Sequence, residues 1–216
     1  MNGETDRGPW IPTFIGHQFH PYDPRPDEVD IADIAHALAN LCRFNGHTSD
    51  FFSVAQHSVL VSEKASDCLK LPALLHDAAE AYIGDMSGPL KDFVSIMHAK
   101  PNSAPGKVCD PFRVAERYIL DAIGSAFGIS LVPTLNTVKE IDRRMCVTEA
   151  KALMRHPGPW FEQAGLDAEP EPYDDVPIHP QTPDEAEVDF IDTFEQLVKA
   201  PPTLPTEVPR AQAVTA

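Results

Sequence analysis

An all-α fold, a bundle of about six to eight helices, is predicted for this 216-residue chain by three observations. Apolar residues recur at three- and four-residue spacing in successive windows of helical length. Proline, glycine and short polar runs separate those windows. No alternating apolar run is long enough to argue for a sheet. Composition divides the chain into an extended N-terminal arm (1–29), a helical core (30–156), an acidic, proline-rich linker with a C-terminal helix (157–199) and a tail (200–216).

The arm, GPWIPTFIGHQFHPYDPRPDE, is too rich in Pro and Gly to be helical and is expected to lie extended on the core, anchored by Trp10, Phe14 and Phe19. Asp30 reads as an N-cap, with Asp33 in the first turn and Ile31, Ile34, Ala35, Leu38 and Leu41 at helical spacing, so the first helix is expected to run to about Phe44. After the polar NGHTSD a second helix is expected near 52–67, where Val54, His57, Val61 and Lys64 share a stripe and His57 points at the core. A third, 71–83, opens at Pro72 and closes at Gly84.

A fourth helix begins near Pro89, with Leu90, Phe93, Val94 and Met97 on one side. Residues 101–110 read as a loop, followed by a long amphipathic helix that Gly128 ends. The helix expected at 134–156 places Leu135, Val138, Ile141, Met145 and Thr148 near one face with Asp142 beside them, a carboxylate that needs a partner. Residues 157–183 are expected to hug the core or form a mobile linker. A last helix near 184–199 offers Ala186, Phe190, Phe194, Leu197 and Val198 for docking, its acidic first turn and Lys199 complementing the helix dipole.

The net charge of −16 is unevenly placed. Residues 162–195 hold twelve Asp or Glu and no Lys or Arg, and residues 1–161 balance 20 acids against 15 bases. With no basic stripe, duplex nucleic acid is excluded as the expected partner, whereas a small phosphorylated ligand can be met locally by a metal and a few cations. No apolar run has the length of a membrane span, so no membrane partner is expected. Cys42, Cys68, Cys109 and Cys146 form no CxxC pair and no signal peptide is seen at the start, which fits reduced thiols and a cytoplasmic location.

Chemistry concentrates in LLHDAAEAYIGDMSGPLK. On a helix His76 and Glu80 are four residues apart and Asp77 and Glu80 three, so Glu80 shares a face with both, among Leu74, Leu75, Ala78, Ala79 and Ala81. Burying such groups without a partner costs several kcal/mol, and metal coordination relieves that cost. The ordered set His57, His76-Asp77, Asp142, with Glu80 and Asp85 beside the doublet, resembles the HD-domain metal-dependent phosphohydrolases, most closely their nucleotide-cleaving bacterial and phage branch. The similarity lies in DIADIAHALANLCRFNGHTSDFFSVAQHSVLVSE, ALLHDAAEAYIGDMSGPLK and VKEIDRRMCVTEA, and covers roughly residues 10–156.

That resemblance implies an HD-domain bundle in which His57, His76, Asp77 and Asp142 hold a divalent transition ion, zinc, manganese, cobalt or iron. It implies catalytic roles for Glu80 and Asp85: one orients or deprotonates the attacking water, and the other protonates the leaving oxygen or holds a second ion, such as magnesium or cobalt, carried by the substrate. By the same resemblance Arg43 contacts substrate, and Lys91 is a second candidate phosphate ligand. Phe44 stands where the bacterial 5′-deoxynucleotidases carry tryptophan, so their way of selecting the sugar is not carried over, and Phe44 is expected to wall a sugar or base pocket. His36 and His47 fit no ligand pattern.

The implied activity is hydrolysis of a deoxynucleotide, favoured as a dATP or other dNTP triphosphohydrolase releasing deoxynucleoside and triphosphate, after the phage enzymes whose opening segment TFIGHQFHPYDPRPDEVDIADIAHALANLCRF looks similar. A 5′-deoxynucleotidase acting on monophosphates, a phosphodiesterase acting on a cyclic messenger, and a non-catalytic metal- or nucleotide-binding regulatory module are the alternatives. A homo-oligomer is expected by analogy with the family.

Overall fold

The computed structural model describes residues 7–98, 110–156 and 170–199. The fold is all-α: α1 (Ile31–Asn40), α2 (Val54–Lys64), α3 (Lys70–Leu74), α4 (Glu80–Ile83), α5 (Gly88–His98), α6 (Pro111–Ala126), α7 (Leu135–Leu153) and α8 (Pro183–Lys199). The arm contributes two-residue strands β1 (Ile11–Pro12) and β2 (Gln18–Phe19), paired antiparallel with Ile11 opposite Phe19. Cys42, Cys68 and Cys146 are free thiols. The tail (200–216), most of the 101–110 loop and residues 157–169 of the acidic linker lie outside the described residues.

The main core joins α1, α2, α3, α4, α6 and α8 around Ile34, Leu38, Leu74, Leu75, Ile119, Ile123 and Phe190, all fully buried. Helix α8 closes it, packing on α1, α2 and α3 through Ala186, Phe190 and Phe194. Val198, expected to dock with them, is exposed. Helix α7 packs on α2 and α3 over a smaller core of Val61, Ala73, Val138 and Met145. The described linker residues hug that side: Gln56 Nε2 donates to the His179 carbonyl (2.6 Å), and Tyr173 N donates to Thr148 Oγ1 (2.9 Å).

Several boundaries differ from the sequence expectation. The first helix starts at its Asp30 cap, whose side chain accepts from Ala32 N, but stops at Asn40 rather than near Phe44. There Leu41 turns extended, and its carbonyl accepts from Val54 N while Arg43 N donates to the Phe52 carbonyl, so the chain pairs with itself across the 44–52 loop. Phe44 and Asn45 then adopt left-handed φ of 53° and 51°. For a non-glycine residue this costs roughly 1–2 kcal/mol, and the Phe44 side chain is thereby set on the wall of the cleft described below.

The second helix is shorter than 52–67, starting after Ser53, whose side chain accepts from Gln56 N. The seventh ends at Leu153, not 156. Of the three aromatic residues expected to anchor the arm only Phe19 is buried; Trp10 and Phe14 are mostly outside, and Phe14 lies flat on His36. Helix α5 packs on α6, yet Leu90, Phe93 and Met97 face outward, because the periodicity of a stripe does not specify what covers it. The expected helix 71–83 is not continuous: α3 and α4 are joined by residues 75–79 in tight turns with three-residue hydrogen bonds such as Glu80 N to Asp77 O (2.9 Å). Gly84 closes α4 with φ 78°.

Candidate metal centre

The tight turns change how the doublet presents itself. In three-residue geometry positions i and i+3 eclipse, which puts Glu80 on the same side of the turn as Asp77, whose charge it feels. His76 falls back toward the turn before it, and its Nδ1–H donates to the Ala73 carbonyl at 2.7 Å. A carbonyl can only accept, so this bond fixes the proton on Nδ1 and leaves Nε2 as the nitrogen that faces its neighbours.

His57 reaches the same point from α2 and is held in the same sense. Its Nδ1–H donates to Glu149 Oε1 of α7 at 2.6 Å, and Glu149 Oε2 in turn accepts from Arg43 Nε (3.3 Å) and Nη2 (3.1 Å). Both His57 and Glu149 have no exposed surface. The two rings lie 5.4 Å apart at 55°. His57 Nε2 is 3.1 Å from Asp142 Oδ1 and 3.8 Å from Asp77 Oδ2, and His76 Nε2 is 3.2 Å from Asp77 Oδ2 and 3.9 Å from Asp142 Oδ1. Neither Nε2 makes a well-aligned hydrogen bond, and both are shut off from water.

Two orphaned imidazole nitrogens facing carboxylate oxygens fit a cation. Ligands about 2.1 Å from one ion sit roughly 3–3.5 Å from one another, the range these atoms span or narrowly exceed. His57, His76 and Asp142 form a group that can hold a metal ion, and Asp77 borders it. The bonds at the two Nδ1 atoms are the outer partners that orient metal-binding imidazoles.

Asp77 and Asp142 line a cleft of ≈ 380 Å³, and His57 and His76, which face them, are buried. Glu80, Asp85, Arg43, Phe44 and Lys91 also line it, so every residue singled out from sequence is at this site. The two basic residues expected from sequence are engaged, Arg43 with Glu149, and Lys91 Nζ with Glu116 Oε1 at 2.7 Å and over the Phe112 ring, and Arg143 lines the cleft as well. Glu149 and Glu116 were missed from sequence. Glu149 lies seven residues after Asp142, two turns along the same face, and that spacing was a usable signal. Glu116 meets Lys91 across two helices and leaves no local trace.

The charges sort the groups. Burial and the Asp77 and Asp85 carboxylates push Glu80 well up, so it holds its proton far more tightly than an ordinary carboxyl. Burial also raises Asp85, against the pull of Arg43. Burial likewise works against a charged Asp77, but His76, His57 and Arg43 outweigh it and hold Asp77 low. Asp142 is lowered too, its burial offset chiefly by His57. For His57, burial and Arg43 disfavour the cation, yet Glu149 and Asp142 at its two nitrogens prevail and carry it from 6.5 to about 9.

A folded-state value above the unfolded one means the protonated ring stabilises the metal-free protein fully below about pH 6.5 and less as pH rises through about 9. A cation must displace that proton. Adding manganese or zinc to weakly buffered metal-free protein at pH 7.5 is therefore expected to release protons, and less so above pH 9. Uptake at pH 7.5 with no acidification, followed by an indicator dye, would contradict the arrangement.

Among the described residues no helix is long and apolar enough to cross a membrane. No family model matches the chain. It is 43% identical over 91 residues to an uncharacterized protein of Rhodobacter capsulatus, a match spanning 38% of this chain and 46% of that one. It is 35% identical over 173 residues to the uncharacterized protein YfdR of Escherichia coli, covering 79% of this chain and 87% of that protein. Identity at that level over that length makes this chain a member of the same family as YfdR.

Proposed function

We infer that the protein is a metal-dependent phosphohydrolase of the HD-domain kind acting on a deoxynucleotide, with a dNTP, dATP foremost, as the favoured substrate. The observation that carries this reading is the pair of buried imidazoles whose unpartnered Nε2 atoms converge with Asp77 and Asp142 beneath an open cleft. His57, His76, Asp77 and Asp142 would hold the ion, and zinc, manganese, cobalt and iron all accept two imidazoles and two carboxylates. The chemistry such an ion supplies when bound is acidification of water and withdrawal of charge from a phosphoryl oxygen.

The chain's own groups supply the rest. Glu80, buried near the Asp77 charge and poorly ionised, would carry a proton between the attacking water and the reacting group. Asp85, which lines the cleft and is also raised, would protonate the leaving oxygen. Arg43 orients His57 through Glu149 while presenting charge to the cleft, and Lys91 adds a second positive charge. The left-handed Phe44 gives the cleft an apolar wall for a sugar or base.

Chromatographic product analysis of purified protein with manganese or cobalt, across deoxy- and ribonucleoside mono- and triphosphates, tests this. Deoxynucleoside plus triphosphate is the expected outcome. Inorganic phosphate from monophosphates alone would move the assignment to a 5′-deoxynucleotidase, and no metal-dependent turnover on any member of the panel would overturn the enzymatic reading.

A further inference from the structure

Helix α5 is amphipathic, but its polar side is the one that packs on the fold. Ser95 is the buried residue of this helix, and its hydroxyl donates to the Lys91 carbonyl at 2.9 Å. Lys91, one turn earlier on the same side, sends its ammonium to Glu116 of α6, and Asp92 lies 3.7 Å from Arg113 of α6. The opposite side carries Leu90, Phe93, Ile96 and Met97, which are 45%, 57%, 68% and 70% exposed. Nothing among the described residues covers them.

A helix of 11 residues is marginal in water on its own, and one of this length is normally held by burying its apolar face. The polar contacts of α5 with α6 do not do that. At these exposures the four side chains leave on the order of 400 Å² of apolar surface in one strip along the helix. A stable interface takes about 800 Å² from each partner, somewhat more than half of it apolar. The strip thus has the area of the apolar part of one such interface.

Charge selects the occupant. The chain carries −16, so two copies repel one another over most of their surfaces. Residues 88–98 are an exception: they hold one lysine and one aspartate, both drawn toward α6, and the strip itself bears no charge. A basic partner would be attracted to the acidic surface elsewhere. A second copy brings the same uncharged strip, and a contact about a two-fold axis requires a patch that complements itself.

We propose that α5 is a contact between two copies of this chain, with Leu90, Phe93, Ile96 and Met97 of one copy lying on the same strip of the other about a two-fold axis. Gly88, Pro89 and Lys91 of this helix line the metal cleft, so the contact also steadies one rim of it. The interface does not rest on the phosphohydrolase reading, and it is measured without any turnover.

Sedimentation equilibrium on the full chain is the test. Wild type is expected to be a dimer with a dissociation constant of about 10 µM or tighter. Phe93→Asp and Met97→Asp each set a charge against its own copy in the apolar centre, and each is expected to raise that constant by roughly 100-fold or more. Val188→Asp, at an exposed apolar position on α8, is expected to leave the dimer intact. Ile96→Ser, a milder change in the strip, is expected to weaken the dimer severalfold and decides the matter if the aspartate variants do not fold. A wild-type monomer at about 100 µM would overturn the proposal, as would a dimer that survives Phe93→Asp, Met97→Asp and Ile96→Ser. So would a monomer that dimerises once residues 200–216 are removed, which would give the strip to the chain's own tail, or a monomer that floats with phospholipid vesicles, which would give it to lipid.

Discussion

Asp77→Ala is expected to strip the protein of its ion and take phosphohydrolysis below detection, whereas Glu80→Gln is expected to keep the ion and lose about 10²–10⁴-fold in rate. The two carboxyls are neighbours across one tight turn, yet their surroundings push them in opposite directions. Asp77 stays ionised because His76, His57 and Arg43 outweigh its burial, which makes it a donor to a cation. Glu80 is raised because it is buried and faces Asp77 and Asp85, which makes it a proton carrier and a poor first choice as a ligand. Metal content by elemental analysis, read beside turnover on the same preparations, separates the two. Equal metal loss in both variants would overturn this division of roles.

Glu149→Ala is expected to destabilise the protein by about 3–5 kcal/mol, the cost of breaking a buried charged network from one end. Glu149 has no exposed surface and joins Arg43, itself only 12% exposed, to fully buried His57, so its removal strands two cationic groups at once. Glu149→Gln keeps the volume and one acceptor oxygen, and is expected to fold while binding metal about 10–100-fold more weakly, because the carboxylate that sets the His57 tautomer and basicity is gone. Urea denaturation checks the first expectation and metal titration the second. If Glu149→Ala unfolded with wild-type stability, or Glu149→Gln bound metal like wild type, the network would be incidental to the centre.

The features legible in the sequence are those set by neighbours in the chain. Asp30 starts α1 because its side chain accepts a nearby amide, and α8 was visible because Ala186, Phe190 and Phe194 repeat with the helical period. The set of cleft residues was legible through the family resemblance of the three stretches that carry them, which does not depend on the intervening backbone being a regular helix. The end of α1 was not, because the pairing of Leu41 and Arg43 with Val54 and Phe52 comes from across the following loop. Nor was the break between α3 and α4: Leu75, Ala78 and Ala79 are good helix formers, and the helical spacing continues through the tighter turns in which His76 and Asp77 sit. Leu90, Phe93 and Met97 form a good amphipathic stripe that the described fold leaves outside. The Lys91–Glu116 pair likewise required the packing of α5 on α6 to be known.

Two imidazoles and their facing carboxylates are expected to share one cation. X-ray absorption and anomalous diffraction on the purified protein, at the edges of manganese, iron, cobalt and zinc, would reveal it. One ion per chain is expected, with His57 Nε2 and His76 Nε2 at about 2.0–2.2 Å and oxygen from Asp142 and Asp77 completing the protein ligands. Crystals without an anomalous peak between the two rings, with water bonded to both Nε2 atoms and no metal in the elemental analysis of the same material, would contradict it.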